Sequence, residues 1–168
     1  DPVFQPSLCI VKGNSTDTAF YRVSSMGADQ SLALMAGNAI AADLIQAFNS
    51  DGFQVGSASN INFTGHTYHY ICVADGANDV SFGTFTGDGT DNRNIVISPA
   101  FQPEFVWVQP SGVAPAFRTA AHSGDSSSRA HASANEADHI QQFNADGFQV
   151  GVSRNANLTV YYYFAFKE

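Results

Sequence analysis

Residues 42–56, ADLIQAFNSDGFQVG, return as residues 137–151, ADHIQQFNADGFQVG, identical at twelve of fifteen positions with an offset of 95. The match is collinear well beyond this block. Phe4-Gln5-Pro6 recurs as Phe101-Gln102-Pro103, LCIV at 8–11 as FVWV at 105–108, and Ala19-Phe20 as Ala116-Phe117. Asn62 matches Asn157, and after a two-residue gap Tyr68, Tyr70 and Cys72 match Tyr161, Tyr163 and Ala165. A period this long exceeds the ~20–50 residues of a solenoid repeat, so each copy is a small domain or half of a pseudo-symmetric one. The boundaries read as 1–75 for copy one and 76–168 for copy two.

The copies differ in one respect. Copy two is preceded by VSFGTFTGDGTDNRNIVISPA at 80–100, read as a strand, a hairpin turn and a second strand, whereas copy one has only Asp1-Pro2-Val3 ahead of Phe4. The chain starts without Met, which reads as processing or fragmentation. The missing pair was either removed or is supplied by a neighbouring subunit. The second is the working hypothesis, since an unpaired apolar edge is normally filled or covered.

Period-two alternation dominates the pattern. Strands are expected at 7–13, 53–57, 67–74, 82–86, 94–98, 104–110, 148–152 and 160–167. Two short helices are expected, AIAADLIQAF (39–48) and EADHIQQF (136–143), with Asp43 and Asp138 capping their first turns. Asp51-Gly52 and Asp146-Gly147 mark turns. The fold class implied is all-β: an antiparallel sandwich of jelly-roll character with two pseudo-repeats and very short helices.

Composition narrows function. The 168 residues are 44% hydrophobic and only 13% charged, with a net charge of −8. An acidic surface with two lysines and five arginines argues against nucleic acid and anionic membranes as partners. No apolar run reaches the ~20 residues of a spanning helix. Cys9 and Cys72 are too few for a disulfide scaffold or a zinc site; two packed thiols is the favoured reading and one bridge the alternative.

No side-chain set has catalytic spacing. His66 and His69 fall on opposite faces of one strand, and His122, His131 and His139 lie in or beside a loop without HxxxH spacing. Glu104, Glu136 and Glu168 are the only glutamates. Asp43, Asp138, Asp51 and Asp146 recur in the repeat but read as turn and cap residues. GTFTGDGT lacks the GKS/T ending of a phosphate loop. Asp88 and Asp91 have carboxylates suited to Ca²⁺ but not EF-hand spacing, so a plain hairpin turn is favoured. No catalytic, cofactor or metal residue is therefore assigned, and the chain is expected not to be an enzyme. Fourteen Phe, six Tyr and one Trp mostly fill the space between sheets, with at least one of Tyr161, Tyr162 and Tyr163 expected at the surface. Asn14, Asn62 and Asn157 head N-glycosylation sequons, the last two repeat-equivalent and suited to a turn.

The order FGTFTGDGT, FQPEFVWV, HIQQFNADGFQVG, Asn157 and a closing YYYFAF resembles a β-rich repeat module of tailed-phage virion proteins, of the tail-fibre, tailspike or head-decoration type. Copy two matches over most of 82–166 and copy one from Phe4 to Val73. The resemblance implies a non-enzymatic structural or adhesive subunit at a virion surface, homo-oligomeric, contacting other virion proteins or host glycans. It carries over no catalytic residues and no cofactor. The alternative is a carbohydrate-binding, lectin-like adhesin.

Overall fold

The computed structural model describes residues 3–35, 37–76, 78–131 and 133–167. The two copies trace the same path. In copy one, β1 (Leu8–Gly13), β2 (Phe20–Val23) and β3 (Leu32–Ala33) form a meander. The chain then crosses to the pair β4 (Ile45–Asn49) and β5 (Gly52–Val55), makes a single turn α1 (Ser59–Asn62), and returns as β6 (Tyr68–Val73) beside β1. Copy two begins with β7 (Val80–Thr86) and β8 (Arg93–Val96), which have no counterpart among the described residues of copy one. It continues with β9 (Phe105–Pro110), β10 (Ala116–Thr119), β11 (Ser128–Arg129), β12 (Ile140–Asn144), β13 (Gly147–Val150), a 3-10 turn at Val152–Arg154, and β14 (Val160–Phe166).

Four antiparallel sheets result, in the orders β3-β2-β1-β6, β4-β5, β11-β10-β9-β14-β7 and β12-β13-β8. Among the described residues no ladder joins a strand of one copy to a strand of the other. Each copy is a sandwich of a large and a small sheet. The interior of copy one gathers Cys9, Val11, Phe20, Ile45 and Ile61. That of copy two gathers Val106, Val108, Ile140, Phe148 and Tyr161. The large sheets pack back to back through a third cluster that mixes both copies: Leu8, Tyr21 and Leu32 against Trp107 and Phe164. Trp107 stacks on Phe164 with centroids 5.5 Å apart, and Tyr21 meets Phe164 edge-on at 5.8 Å. The expected all-β sandwich is the fold, and the eight expected strands lie where alternation placed them.

Three expectations are corrected. Residues 39–48 and 136–143 are not helices but contribute β4 and β12. Asp43 and Asp138 take left-handed backbone conformations, at φ 61° and 59°, which no helix interior accepts. The Asp43 carboxylate accepts hydrogen bonds from the Ser57 N–H (2.9 Å) and Ser57 Oγ (2.8 Å), so it ties two loops together instead of capping a helix. The helical appearance has a physical origin. A bulge interrupts each pairing, between Ile45 and Ala47 and between Ile140 and Gln142, and one extra residue turns a spacing of two into three.

The segment 80–100 is not a hairpin either. β7 pairs with β14 and β8 with β13, so the two strands join different sheets and the loop between them arches over the sandwich edge. Thirdly, Cys9 and Cys72 are bridged, not free. They are register partners on β1 and β6 with Cα atoms 4.3 Å apart, the places held by Val106 and Ala165 on β9 and β14.

The strand registers also shift one repeat match. Phe20 faces Val11 as Ala116 faces Val108, which makes Arg22 and Arg118 equivalent. Both are buried, and both guanidinium groups donate to loop carbonyls: Arg22 to those of Gly27 (2.8 Å) and Gln30 (2.6 Å), Arg118 to those of Ser126, Gly124 and His122. Each also lies over a phenylalanine of its small sheet, Phe48 at 5.6 Å and Phe143 at 5.7 Å.

Candidate interaction surface

Among the described residues copy one has no β7–β8 equivalent, and two of its strands are open on one side. β14 is paired on both sides, by β9 and β7, and β13 by β12 and β8. Their counterparts β6 and β5 are paired on one side only, by β1 and β4, among the described residues. Between these two free edges runs a groove of about 280 Å³ lined by Val11, Phe53, Val55, Ile61, Tyr68 and Tyr70.

The side chains of the groove hold the positions of a filled one. Phe53 and Tyr70 meet edge-on with centroids 5.3 Å apart and planes at 69°. Phe148 and Tyr163 meet at 5.5 Å and 69°. In copy two the pair is sealed, with Phe148 fully buried and Tyr163 only 6% exposed, whereas Tyr70 is 42% exposed. The seal is β7 and β8. Phe85 stacks on Tyr161 at 5.0 Å with planes 9° apart, and Ile95 and Ile97 complete the core. Gly83 crosses Tyr163 so closely that a Cβ would lie 2.4 Å from the phenolic oxygen, which explains glycine there. Gly147 shows the same constraint on the other sheet: at φ 156° its missing Cβ would sit 2.0 Å from the Ile95 carbonyl oxygen.

The arch loop 87–92 is fastened by Asn155, which is fully buried. Its Nδ2 donates to Asp88 Oδ1 (2.6 Å) and to the Thr90 carbonyl (2.8 Å), while its Oδ1 accepts from the Asp88 N–H (3.2 Å) and from Arg93 (3.0 Å). Asp88 also accepts from the Thr90 N–H and hydroxyl, and forms an ion pair with Arg93 at 3.3 Å. The Thr90 bonds chiefly, with Asn155 and Arg93 adding to them, pull the Asp88 carboxyl down to about 2. Its oxygens thus serve the loop, and Asp91 accepts from Asn92 and Gln141. The pairing of Asp88 with Asp91 for Ca²⁺ is not what the loop shows, and no group of three or more His, Cys, Asp or Glu side chains arranged for a metal occurs among the described residues.

The histidines and the remaining carboxylates are scattered. His69 lies on β6, while His66 sits in the loop before it, its ring against Phe63 at 4.9 Å. His122 contacts Thr119 and Ser128, and His131 is exposed. His139 is buried and pairs with Glu136 at 3.0 Å, which also holds Arg129. Burial first, then the nearby Arg154 and Arg129 charges, bring His139 down to about 4 against the opposing pull of Glu136. Glu104 is exposed at the start of β9, and Glu168 lies outside the described residues. Asp51 and Asp146 occupy the β4–β5 and β12–β13 turns. Tyr161 and Tyr163 are buried and Tyr162 is half-buried in the aromatic seam, because both faces of β14 are covered. The tyrosine that reaches solvent is Tyr70. Asn14, Asn62 and Asn157 are all exposed, and Asn62 Nδ2 closes a local turn on the Gly56 carbonyl at 2.8 Å. A larger hollow of about 580 Å³ lies by Gln46 and Phe48, where the Arg22 guanidinium is occupied with backbone carbonyls.

No family model, curated protein or solved structure matches the chain.

Proposed function

We propose that the chain is a non-enzymatic structural subunit of a virion surface, a decoration, spike or fibre protein that assembles through β-rich contacts. The observation that carries this reading is that one module presents free strand edges and an apolar groove which its twin covers with protein. Exposed edges of this kind invite strand addition. The rest of the molecule suits such a role. Two sandwiches share an aromatic seam, and the Cys9–Cys72 bridge belongs to oxidising surroundings such as the extracellular space. The acidic, low-charge composition suits an outward polar face, and the repeat order resembles phage virion modules.

A lectin-like reading draws on the exposed Tyr70 ring beside Asn62 in the same groove, since a flat ring stacks on a sugar and an amide orients it. It is second because the equivalent ring, Tyr163, lies under a protein strand. Electron microscopy and native mass measurement of material from the natural source test the assignment. A regular array on a capsid, tail or filament is expected. A soluble monomer that binds glycans in an array screen would overturn it in favour of the adhesin.

A further inference from the structure

We infer that the groove of copy one is a strand-addition site for a two-stranded β-arch of the β7–β8 kind, supplied by a polypeptide segment outside residues 1–168 that carries the same repeat. This goes beyond the virion assignment and does not depend on it, because it follows from the two copies alone.

The occupant is specified by what fills the twin. In copy two the groove accepts one extended segment on the large sheet and a second on the small sheet, joined by a Gly-Asp-Gly loop. Transferring those registers to copy one gives definite partners. Phe85 of the incoming segment faces Tyr68, Gly83 faces Tyr70 and Ser81 faces Cys72, as they face Tyr161, Tyr163 and Ala165. On the other edge Ile95 faces Phe53 and Val96 faces Gly52, as they face Phe148 and Gly147. The ring pair that must flank the crossing glycine is already set in copy one at nearly the same distance and angle.

The fastening residue is present too. The Phe63 N–H bonds the Tyr68 hydroxyl as the Ala156 N–H bonds that of Tyr161, which sets Asn62 where Asn155 stands; Asn62 lines the groove, is exposed, and its amide donates to the Gly56 carbonyl at 2.8 Å. The entry side is also matched. Pro2, Phe4, Gln5 and Pro6 repeat Pro99, Phe101, Gln102 and Pro103, the residues that lead from the arch into β9. Another molecule of this chain is a poor donor. The arch of residues 80–96 is committed to its own copy two, through two ladders and the Asn155 bonds. The donor is accordingly a polypeptide with a spare arch: alternating small and aromatic residues around a Gly-x-Phe, a glycine-rich turn, then Ile-x-Ile.

The test uses the intact chain and a synthetic peptide of residues 79–98 of this sequence as probe. Hydrogen exchange is followed by mass spectrometry with and without the peptide. The expected result is saturable slowing of exchange confined to residues 52–55 and 68–73. Peptides with Phe85→Asp or Gly83→Val should bind at least about tenfold more weakly, since one loses the stacked ring and the other clashes with Tyr70. To separate weak association from no association, the same peptide is fused by a flexible linker to the chain's N-terminus, which raises its effective concentration to the millimolar range. Absence of protection in both formats would overturn the inference. So would equal binding by the Gly83→Val peptide, because the register would then be wrong. A peptide-free chain that dimerises with its own 68–73 edges protected would overturn it as well, by naming a second copy as the occupant.

Discussion

Phe53 and Phe148 do the same thing in two settings. Each packs edge-on against a tyrosine of the facing sheet, at 5.3 and 5.5 Å. Yet Phe148 is fully buried and Phe53 is not, because β7 and β8 close one sandwich and leave the other open. The comparison shows that the core geometry of this repeat is set by the framework strands, while its sealing is a separate step performed by an added arch. It also shows how the open copy is held. The strand that lacks an outer neighbour, β6, is the one cross-linked to β1, whereas β14, paired on both sides, carries Ala165 at that place.

Truncating both rings should give the largest difference between the two copies. Phe148→Ala removes a ring with no solvent exposure and should cost about 3–5 kcal/mol. Phe53→Ala removes a half-buried ring beside an open groove and should cost about 1–2 kcal/mol, because water already reaches the site. Urea unfolding of both variants measures the gap. Equal costs would mean that the groove is sealed in solution. Next in size is reduction of the bridge. Cys9 and Cys72 are 63 residues apart, and loop-closure entropy alone gives about 4 kcal/mol for a link of that span. The loss should concentrate in β1 and β6, read as faster amide exchange there, with β9 and β14 unchanged.

A third difference is electrostatic. Where copy one buries Leu44, copy two buries His139 against Glu136. His139 is held down to about 4, below its ordinary 6.5, so the unfolded chain binds the proton first as pH falls. The stability from the neutral imidazole is complete above about pH 6.5 and declines as pH drops toward 4. A loss on the order of 2 kcal/mol is expected over that window. His139→Leu, which copies the other module, should flatten the decline in melting temperature between pH 7 and pH 4. An unchanged slope would assign the acid sensitivity elsewhere.

The framework strands were legible in the sequence as short runs of β-branched and aromatic residues closed by Gly or Pro, a signal that survives although β9 and β14 are covered on both faces. The duplication was legible because the 42–56 block combines a turn, a bulge and two core residues, so few positions are free to vary. β4 and β12 were not legible as strands, since their bulges mimic helical spacing and the left-handed Asp43 and Asp138 are indistinguishable from helix caps. The arch was misread as a hairpin because sequence shows that two strands are close along the chain but not which sheet each joins. The buried Arg22 and Arg118 were missed for a different reason. Their partners are backbone carbonyls, which carry no sequence signature. The open groove was foreshadowed by the unequal copies, but its lining depended on which faces of β5 and β6 look inward.

The smallest expected effect separates the arch from the sandwich it covers. Asp88 lies at the tip of the arch, with its carboxyl held at about 2 by Thr90 first and then by Asn155 and Arg93. A depressed carboxyl stabilises the folded state above its unfolded value near 3.8 and loses that contribution as pH falls through about 2. Because the group is solvent-accessible, the consequence should be local: faster exchange at Gly89 and Thr90, whose N–H groups bond to Asn155 and Asp88. Asp88→Asn should bring that loosening to neutral pH while leaving β7 and β8 paired, since their ladders do not pass through the loop. Loss of the β8–β13 ladder in this variant would instead show that the arch tip and its strands form one cooperative unit. Asn62 would then have to engage an incoming arch before either of its strands could stay paired with copy one.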